Sequence, residues 1–280
     1  MKLSIITVNY NNAEGLERTL NSVLEQSYDG IEHIIIDGAS TDDSVVVIKR
    51  YVQRVSELES ARIRVEWVSE KDKGIYDAMN KGICKATGDY IQILNGGDLL
   101  AAPNVIERMM SELAKHKYPD MLYGNSVDIE KKRRNVDVKE IEYSMRHLYR
   151  GTYPHEGSYY KRDLFSRERY GLYDDTLRIA SDWKWFLQAI GLGNVKPVYV
   201  DVDVVLFDTN GISSTNKELS NIERRKVLED LLPPAILADY DKYALDIEQM
   251  NRLRRHHLYG LVYFTERVLF KLEKWHVISR

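Results

Sequence analysis

Aspartates at the ends of predicted strands and at the start of a predicted helix are the residues of this chain best placed to do chemistry. The stretch Ser69-Glu70-Lys71-Asp72-Lys73-Gly74-Ile75-Tyr76-Asp77-Ala78-Met79-Asn80, with Leu94-Asn95-Gly96-Gly97-Asp98 beyond it, reads as a polar loop, an amphipathic helix, a buried strand and a turn ending in a carboxylate. Asp98 falls just past the carboxyl end of that strand, where open α/β sheets bind their ligands. Asp37 closes an earlier strand, where an acidic side chain can accept hydrogen bonds from a ribose or a base edge. A carboxylate can hold magnesium together with substrate phosphates, or take a proton from a hydroxyl within reach. Asp182, after Ser181, either takes that proton or complements a helix dipole. Asp37 likewise either meets a ligand or closes an Asx turn. His155, after Pro154, is either a site residue or a hydrogen-bonded structural one.

The elements that must hold these groups alternate between strand and helix. Leu3 to Val8 predicts a strand, and Asn11 or Asn12 can cap a helix with Leu16, Leu20, Val23 and Leu24 on its inner face. His33 to Ile36 predicts the second strand. Ser40 or Thr41 then caps a helix whose first turn holds Asp42 and Asp43. Ile63 to Val68 gives a third strand. The helix carrying Ile75, Ala78, Met79, Ile83 and Ala86 ends where Gly88 suits a left-handed cap. Tyr90 to Leu94 is mostly apolar, as a central parallel strand requires. Pro103 opens a further helix with Val105, Ile106, Met109, Met110 and Leu113 inward. Such βαβ units imply a parallel sheet with right-handed crossovers.

After residue 120 the alternation fades. Lys131 to Arg134 is a basic run read as a solvated hairpin tip. A helix begins near Ser181, Val198 to Phe207 alternates like a strand, and from Asn216 the chain is helical and charged, broken at Pro233-Pro234.

Composition removes several alternatives. The 280 residues, 44% hydrophobic, can bury a full core, and a net charge of -3 does not suggest nucleic acid as a partner. Cys84 is the single cysteine, so intrachain disulfides and cysteine-based zinc sites are excluded, consistent with a reducing cytoplasm. The run Leu3 to Val8 is too short for a signal peptide, and no later run approaches the roughly 20 apolar residues of a membrane span. The expectation is a cytoplasmic protein. After the first strand stands Asn9-Tyr10-Asn11-Asn12 instead of a G-x-G-x-x-G turn, and no P-loop occurs. That weighs against hydride transfer and NTP hydrolysis.

The segments Ser4-Ile5-Ile6-Thr7-Val8-Asn9-Tyr10-Asn11, Ile36-Asp37-Gly38-Ala39-Ser40-Thr41-Asp42, Asp72 through Gly82, and Leu94 through Asp98 occur in the order and spacing of one family. Pro154-His155-Glu156 and Ala180-Ser181-Asp182-Trp183 complete the set. The chain resembles a family 2 glycosyltransferase with the glycosyltransferase A (GT-A) fold, of the kind that builds bacterial surface polysaccharides. The resemblance spans roughly residues 1 to 215. It implies an α/β fold with a mostly parallel central sheet flanked by helices. The nucleotide-sugar half would be residues 1–120, the acceptor half 121–215, and 216–280 a C-terminal helical extension. Thr7, Asn9, Asp37 and Asp72 would bind the donor. Asp98 would hold Mg2+ or Mn2+ at the diphosphate, His155 and Glu156 would face the acceptor, and Asp182 would be the catalytic base. Two departures stand out: Gly97 precedes Asp98 where the family commonly has a second acid, and Glu156 stands where relatives often carry glutamine.

The resemblance implies an inverting transfer from a nucleoside-diphosphate sugar, UDP being the commonest carrier, to a glycan or lipid-linked glycan hydroxyl. A sugar nucleotidyltransferase is the rival enzyme, but it requires a glycine-rich basic loop that is missing after the first strand. A non-catalytic sugar-nucleotide binder or membrane-docked assembly partner is the alternative of another class. Residues 251–280 interleave Arg252, Arg254, Arg255, Arg267, Lys271 and Lys274 with Leu258, Phe264, Phe270 and Trp275. Such a helix either lies on an anionic membrane, at its inner face, or packs on the catalytic domain or in a homodimer.

Overall fold

The computed structural model describes residues 1–58, 62–129, 133–134, 144–207, 216–255 and 264–265. Its first part is a run of parallel βαβ units. Strands β1 (Leu3–Asn9), β2 (Ile31–Asp37), β3 (Ile63–Ser69) and β4 (Tyr90–Ile93) alternate with helices α1 (Ala13–Leu24), α2 (Ser44–Ser56) and α3 (Ile75–Lys85). β1 lies between β2 and β4 and is parallel to both, and β3 is parallel to β2. β1 and β2 are buried at every position, so they need apolar residues on both faces, and Ile, Leu and Val supply them.

Leu3, Ile5, Ile31 and Ile35 meet Leu16, Leu20, Val23, Ile48 and Tyr51 in one core cluster. On the opposite face α3 lies so near β1 that a Cβ on Gly82 would stand 2.3 Å from Ile6 Cγ2. Helix α4 (Val105–Lys115) follows the short strand β5 (Leu99–Leu100) and buries Val105, Ile106, Met109, Met110 and Leu113, the five residues predicted to face inward.

The second part is mixed. β6 (Met121–Asp128), β7 (Arg133–Arg134), β8 (Ser158–Lys161) and β9 (Pro197–Phe207) extend the sheet, which among the described residues has nine strands in the order β3-β2-β1-β4-β8-β6-β9-β5, with β7 on β6. β8 is antiparallel to both β4 and β6, whereas β9 is parallel to β6. β4 therefore marks the seam: parallel on one side, antiparallel on the other. Helices α5 (Met145–Arg150) and α6 (Ser181–Phe186) sit in this part, followed by α7 (Lys217–Leu231) and α8 (Pro234–Arg255). The backbone divides into two compact units, Met1–Arg225 and Lys226–Arg280.

Three local expectations need correction. α2 begins at Ser44, so Asp42 and Asp43 precede the helix; Asp42 instead accepts hydrogen bonds from the Ser44 N–H at 3.0 Å and the Ala13 N–H at 2.9 Å. α3 ends at Lys85 with Ala86 extended, and Gly88 is no left-handed cap. A Cβ at Gly88 would come within 2.7 Å of the Ser4 nitrogen, so close strand approach is what requires glycine there. α4 starts two residues after Pro103, at Val105. The Lys131 to Arg134 hairpin reading is described only at Arg133–Arg134, which pair antiparallel with β6. Of the tail helix, only 251–255 and 264–265 fall within the described residues. Among the described residues no helix is long and apolar enough to cross a membrane.

At the amino ends of the strands Glu32 is buried and accepts from Lys2 Nζ at 2.6 Å, Ser4 Oγ at 2.6 Å, the Thr87 N–H at 2.7 Å and Thr87 Oγ1 at 2.7 Å. Burial alone would raise its pKa, but the donors from Lys2, Ser4 and Thr87 outweigh that and hold it at about 2, below the ordinary 4.5. A carboxyl with a depressed folded-state pKa adds stability that is complete above the unfolded value and is lost as pH falls toward the folded one. Denaturant titrations from pH 5 to pH 2 should therefore show a decline in stability for the wild-type chain that is shallower in Glu32→Gln.

Candidate active site

The carboxyl ends of β1, β2 and β4 carry the polar groups, because successive loops leave the sheet there. Asp37, the last residue of β2, is fully buried. Its Oδ1 accepts from Asn9 Nδ2 at 3.1 Å and Ser40 Oγ at 2.6 Å; its Oδ2 accepts from the Ser40 N–H at 2.9 Å and Ser69 Oγ at 2.6 Å. These four bonds use all the acceptor positions of a carboxylate. Asp37 thus fastens the ends of β1, β2 and β3 together and shapes the loop that follows. The Asx-turn alternative describes its Ser40 contact well.

The loops on either side of Asp37 hold strained backbone. Asn11 (φ 48°) and Ala39 (φ 60°) are both left-handed, a conformation that clusters at ligand-holding loops. They are locked to each other: the Asn11 N–H donates to Ser40 Oγ at 2.8 Å, and Asn11 Oδ1 accepts from the Thr41 N–H at 2.8 Å. Between these loops Gly38 lets two side chains come close to the backbone. A Cβ at Gly38 would meet Asp72 Oδ2 at 2.6 Å and the Tyr10 ring at 3.2 Å. Tyr10 is 66% exposed, so its ring is available for a base to stack on. Sequence reasoning did not single out Tyr10; its signal is an aromatic directly after a strand end. Asp72 Oδ1 accepts from the Gly74 N–H at 3.0 Å. Burial pushes its carboxyl above the usual range, and the Gly74 N–H and then Lys81 only partly offset that.

Thr7 is not brought to this group by its side chain. Its hydroxyl lies 3.0 Å from His33 Nε2, beneath the strand ends, and His33 Nδ1 lies 2.7 Å from Tyr51 OH. Burial holds His33 neutral, with a pKa of about 3. Asn9 does join the site, through Asp37 and through Ser44 Oγ at 2.9 Å. A Cβ on Gly96 would stand 2.7 Å from Asn9 Oδ1, so the Asn95–Asp98 turn abuts the same end of β1.

That turn is held from α1. Asn12, the predicted alternative to Asn11 as N-cap, caps the helix through the Gly15 N–H at 3.1 Å and donates to the Gly96 carbonyl at 2.9 Å. Thr19 Oγ1 receives the Gly97 N–H at 2.9 Å. Asp98 is buried at the end of the turn. Across the seam, His155 Nε2 lies 3.4 Å from Asn95 Nδ2, while buried Asn95 Oδ1 and His155 Nδ1 find no protein partner. Glu156 contributes its backbone carbonyl, which accepts from Gln92 Nε2 at 3.1 Å.

Among the described residues no group of three or more His, Cys, Asp or Glu side chains could hold a metal ion. The donor set still fits magnesium or manganese, since one carboxylate plus substrate phosphates suffices. Asp98 would supply that carboxylate, and the unpartnered Asn95 Oδ1 is a hard oxygen in the same turn.

Asp182 sits in the first turn of α6, and its Oδ1 accepts from Tyr76 OH at 2.8 Å. Tyr76 OH also lies 2.5 Å from the Ile179 carbonyl. Burial, then the Asp182 charge, drives the Tyr76 hydroxyl pKa well up, so it stays protonated as a donor. Periodicity marks Tyr76 as core or wall; it is both buried and bonded to Asp182, and polarity at one atom is invisible to periodicity. Asn80, one turn on, grips the Tyr173 backbone in both directions, at 2.8 and 3.0 Å. α3 thus ties the Asp72 loop to the Asp182 segment.

A parallel nucleotide-binding sheet edge, joined at β4 to a mixed second half that delivers a carboxylate on a helix start, defines a GT-A glycosyltransferase. The chain belongs to glycosyl transferase family 2: that family's model matches residues 4–175. The match stops short of Asp182. A Mycobacterium tuberculosis protein described as an uncharacterized glycosyltransferase is 32% identical over 219 residues, 76% of this chain and 77% of its own. A PGL/p-HBAD biosynthesis glycosyltransferase of Mycobacterium bovis is 26% identical, covering 76% and 79%.

Among solved structures, S. aureus TarS 1-349 in complex with UDP-GlcNAc aligns with TM-score 0.66 at 16% identity, over 81% of this chain and 64% of that one. The chain thus spans just under two thirds of that fragment. A Pyrobaculum calidifontis mannosyltransferase in complex with GDP-Man and Mn2+ aligns with TM-score 0.63 at 18% identity, over 84% and 66%. At these identities the likeness is one of fold.

Asp37→Asn tests the strand-end fastening. The amide places an NH2 where a carboxylate oxygen accepted from protein donors. Urea unfolding should show a loss of about 1–3 kcal/mol.

Proposed function

We propose that this glycosyltransferase inverts the anomeric centre while moving a sugar from a UDP-sugar to a hydroxyl of a glycan or lipid-linked glycan, in the building of a bacterial surface polysaccharide. The observation that carries the reading is the Tyr76–Asp182 hydrogen bond of 2.8 Å, because Tyr76 belongs to the helix that follows the Asp72 loop and so couples the base to the donor side. Asp72 and Tyr10 line the nucleoside pocket, and Asp37 and Asn9 keep its loops in place. Donor complexes of UDP-GlcNAc and of GDP-Man on the same fold support a nucleotide-sugar donor.

Asp98 and Asn95 would hold a divalent cation with the donor diphosphate. When bound, such an ion supplies Lewis-acid stabilisation of the leaving phosphate. Asp182 accepts the proton of the acceptor hydroxyl, which attacks the anomeric carbon as the bond to the diphosphate breaks on the opposite face. His155 and Glu156 form the acceptor side. The site is proposed to work at the cytoplasmic face of the membrane, where lipid-linked acceptors are presented.

Calorimetric titration with UDP, GDP and dTDP, each with and without Mn2+, should show binding of UDP that requires the ion, and Asp98→Asn should abolish that requirement along with most of the affinity. Binding of none of the three would remove the donor assignment. Asp182→Asn should retain UDP affinity and lose about 10²–10⁴-fold in transfer; unchanged turnover would take Asp182 out of the mechanism.

A further inference from the structure

α6 has no N-cap of its own: Ala180 occupies the cap position and offers no side-chain acceptor. The amides ahead of the helix are nevertheless satisfied. Glu223, in the middle of α7 and only 8% exposed, accepts the Arg178 N–H on Oε1 at 2.7 Å, and the Ile179 and Ala180 N–H groups on Oε2 at 2.9 Å each. A helix more than forty residues downstream thus supplies a single carboxylate to three consecutive backbone donors. The segment it grips ends two residues before Asp182. The same segment presents the Ile179 carbonyl to Tyr76 OH, so Glu223 on α7 and Tyr76 on α3 fix the approach to Asp182 from two distant segments.

The next residue of α7 reinforces the point. The Arg224 guanidinium lies 4.9 Å from the Trp183 ring, and its Nη1 is 3.5 Å from the Gly151 carbonyl. Arg224 is close enough to Asp182 for that carboxylate to oppose the lowering of its pKa by burial. Adjacent residues of one helix therefore flank Asp182, one gripping the backbone before it and the other stacked on the tryptophan after it.

We infer that Glu223 is a positioning residue for Asp182, so that the transfer site is completed from α7, beyond the segment matched by the family. This rests on the reading of Asp182 as the base. Charge suits the task. An anionic acceptor makes stronger hydrogen bonds to amides than a neutral one, and a carboxylate is favoured at a helix start. The grip fixes the backbone, and with it the direction from which Asp182 can reach an acceptor hydroxyl.

The test is amide hydrogen exchange on the full-length chain, with Glu223→Ala and Glu223→Gln beside wild type, followed by kinetics of nucleoside diphosphate release with the sugar nucleotide that the wild type turns over. Both variants should speed exchange at residues 178–180 by about tenfold or more. Each should also lower kcat by about a hundredfold, the size expected from an ångström-scale misplacement. KM for the donor and affinity for UDP with Mn2+ should stay within about twofold of wild type, because the donor loops lie on other strands. Glu223→Gln keeps the side-chain volume and serves if the alanine variant does not fold. Unchanged exchange at 178–180 in a folded variant would overturn the grip. Faster exchange with unchanged kcat, or kcat and UDP affinity falling together, would overturn the positioning role. Asp182→Asn is the separate control: full activity there sinks the base while exchange still reports on Glu223.

Discussion

A carboxylate taken out of water must be given hydrogen-bond donors, and this fold is fastened at three places by that requirement. Glu32 gathers Lys2, Ser4 and Thr87 at the amino ends of the strands. Asp37 gathers Asn9, Ser40 and Ser69 at their carboxyl ends. Glu223 gathers three amides ahead of α6. An uncompensated buried charge costs several kcal/mol, and a satisfied one enforces a single arrangement of its donors. Each of the three joins segments far apart in sequence.

The sheet divides the labour. Parallel strands β1 to β4 bring loops together at one edge, as this topology does generally, and those loops hold Tyr10, Asp72 and Asp98. The antiparallel pairing of β8 with β4 carries His155 to Asn95 across the seam. α3 bridges the two halves, with Tyr76 reaching Asp182 and Asn80 holding Tyr173. Its packing against β1 at Gly82 leaves no room for adjustment.

Much of the first half is legible in the sequence, because two-sided burial writes itself as apolar runs and helix faces as three- and four-residue spacing. β1, β2, β3 and α4 follow from such patterns. Reading becomes unreliable where side-chain hydrogen bonds decide. Asp42 and Asp43 look like first-turn residues but stand before the helix, since Asp42 bonds to Ser44 and Ala13. Gly88 resembles a cap but yields to the approach of Ser4. Thr7 shares a motif with Asn9 and sits on the same face of β1, yet His33 claims its hydroxyl. Asp37 is visible as a strand-end acid, but nothing local reveals that four protein donors occupy it. Glu223 has no signal at all, since its partners lie on the backbone of a distant segment.

The Asn95–Asp98 turn brings a consequence for re-engineering. Gly97 has φ 116°, a region that side-chain-bearing residues rarely adopt, and its N–H is committed to Thr19. Writing an aspartate into that position to recreate the acid pair common in this family would set a side chain against a backbone built for glycine, at a cost of order 1–3 kcal/mol. The lone carboxylate and the glycine-shaped turn are therefore physically coupled. Converting this lineage to a two-acid centre would require redesigning the Thr19 contact on α1 together with the turn.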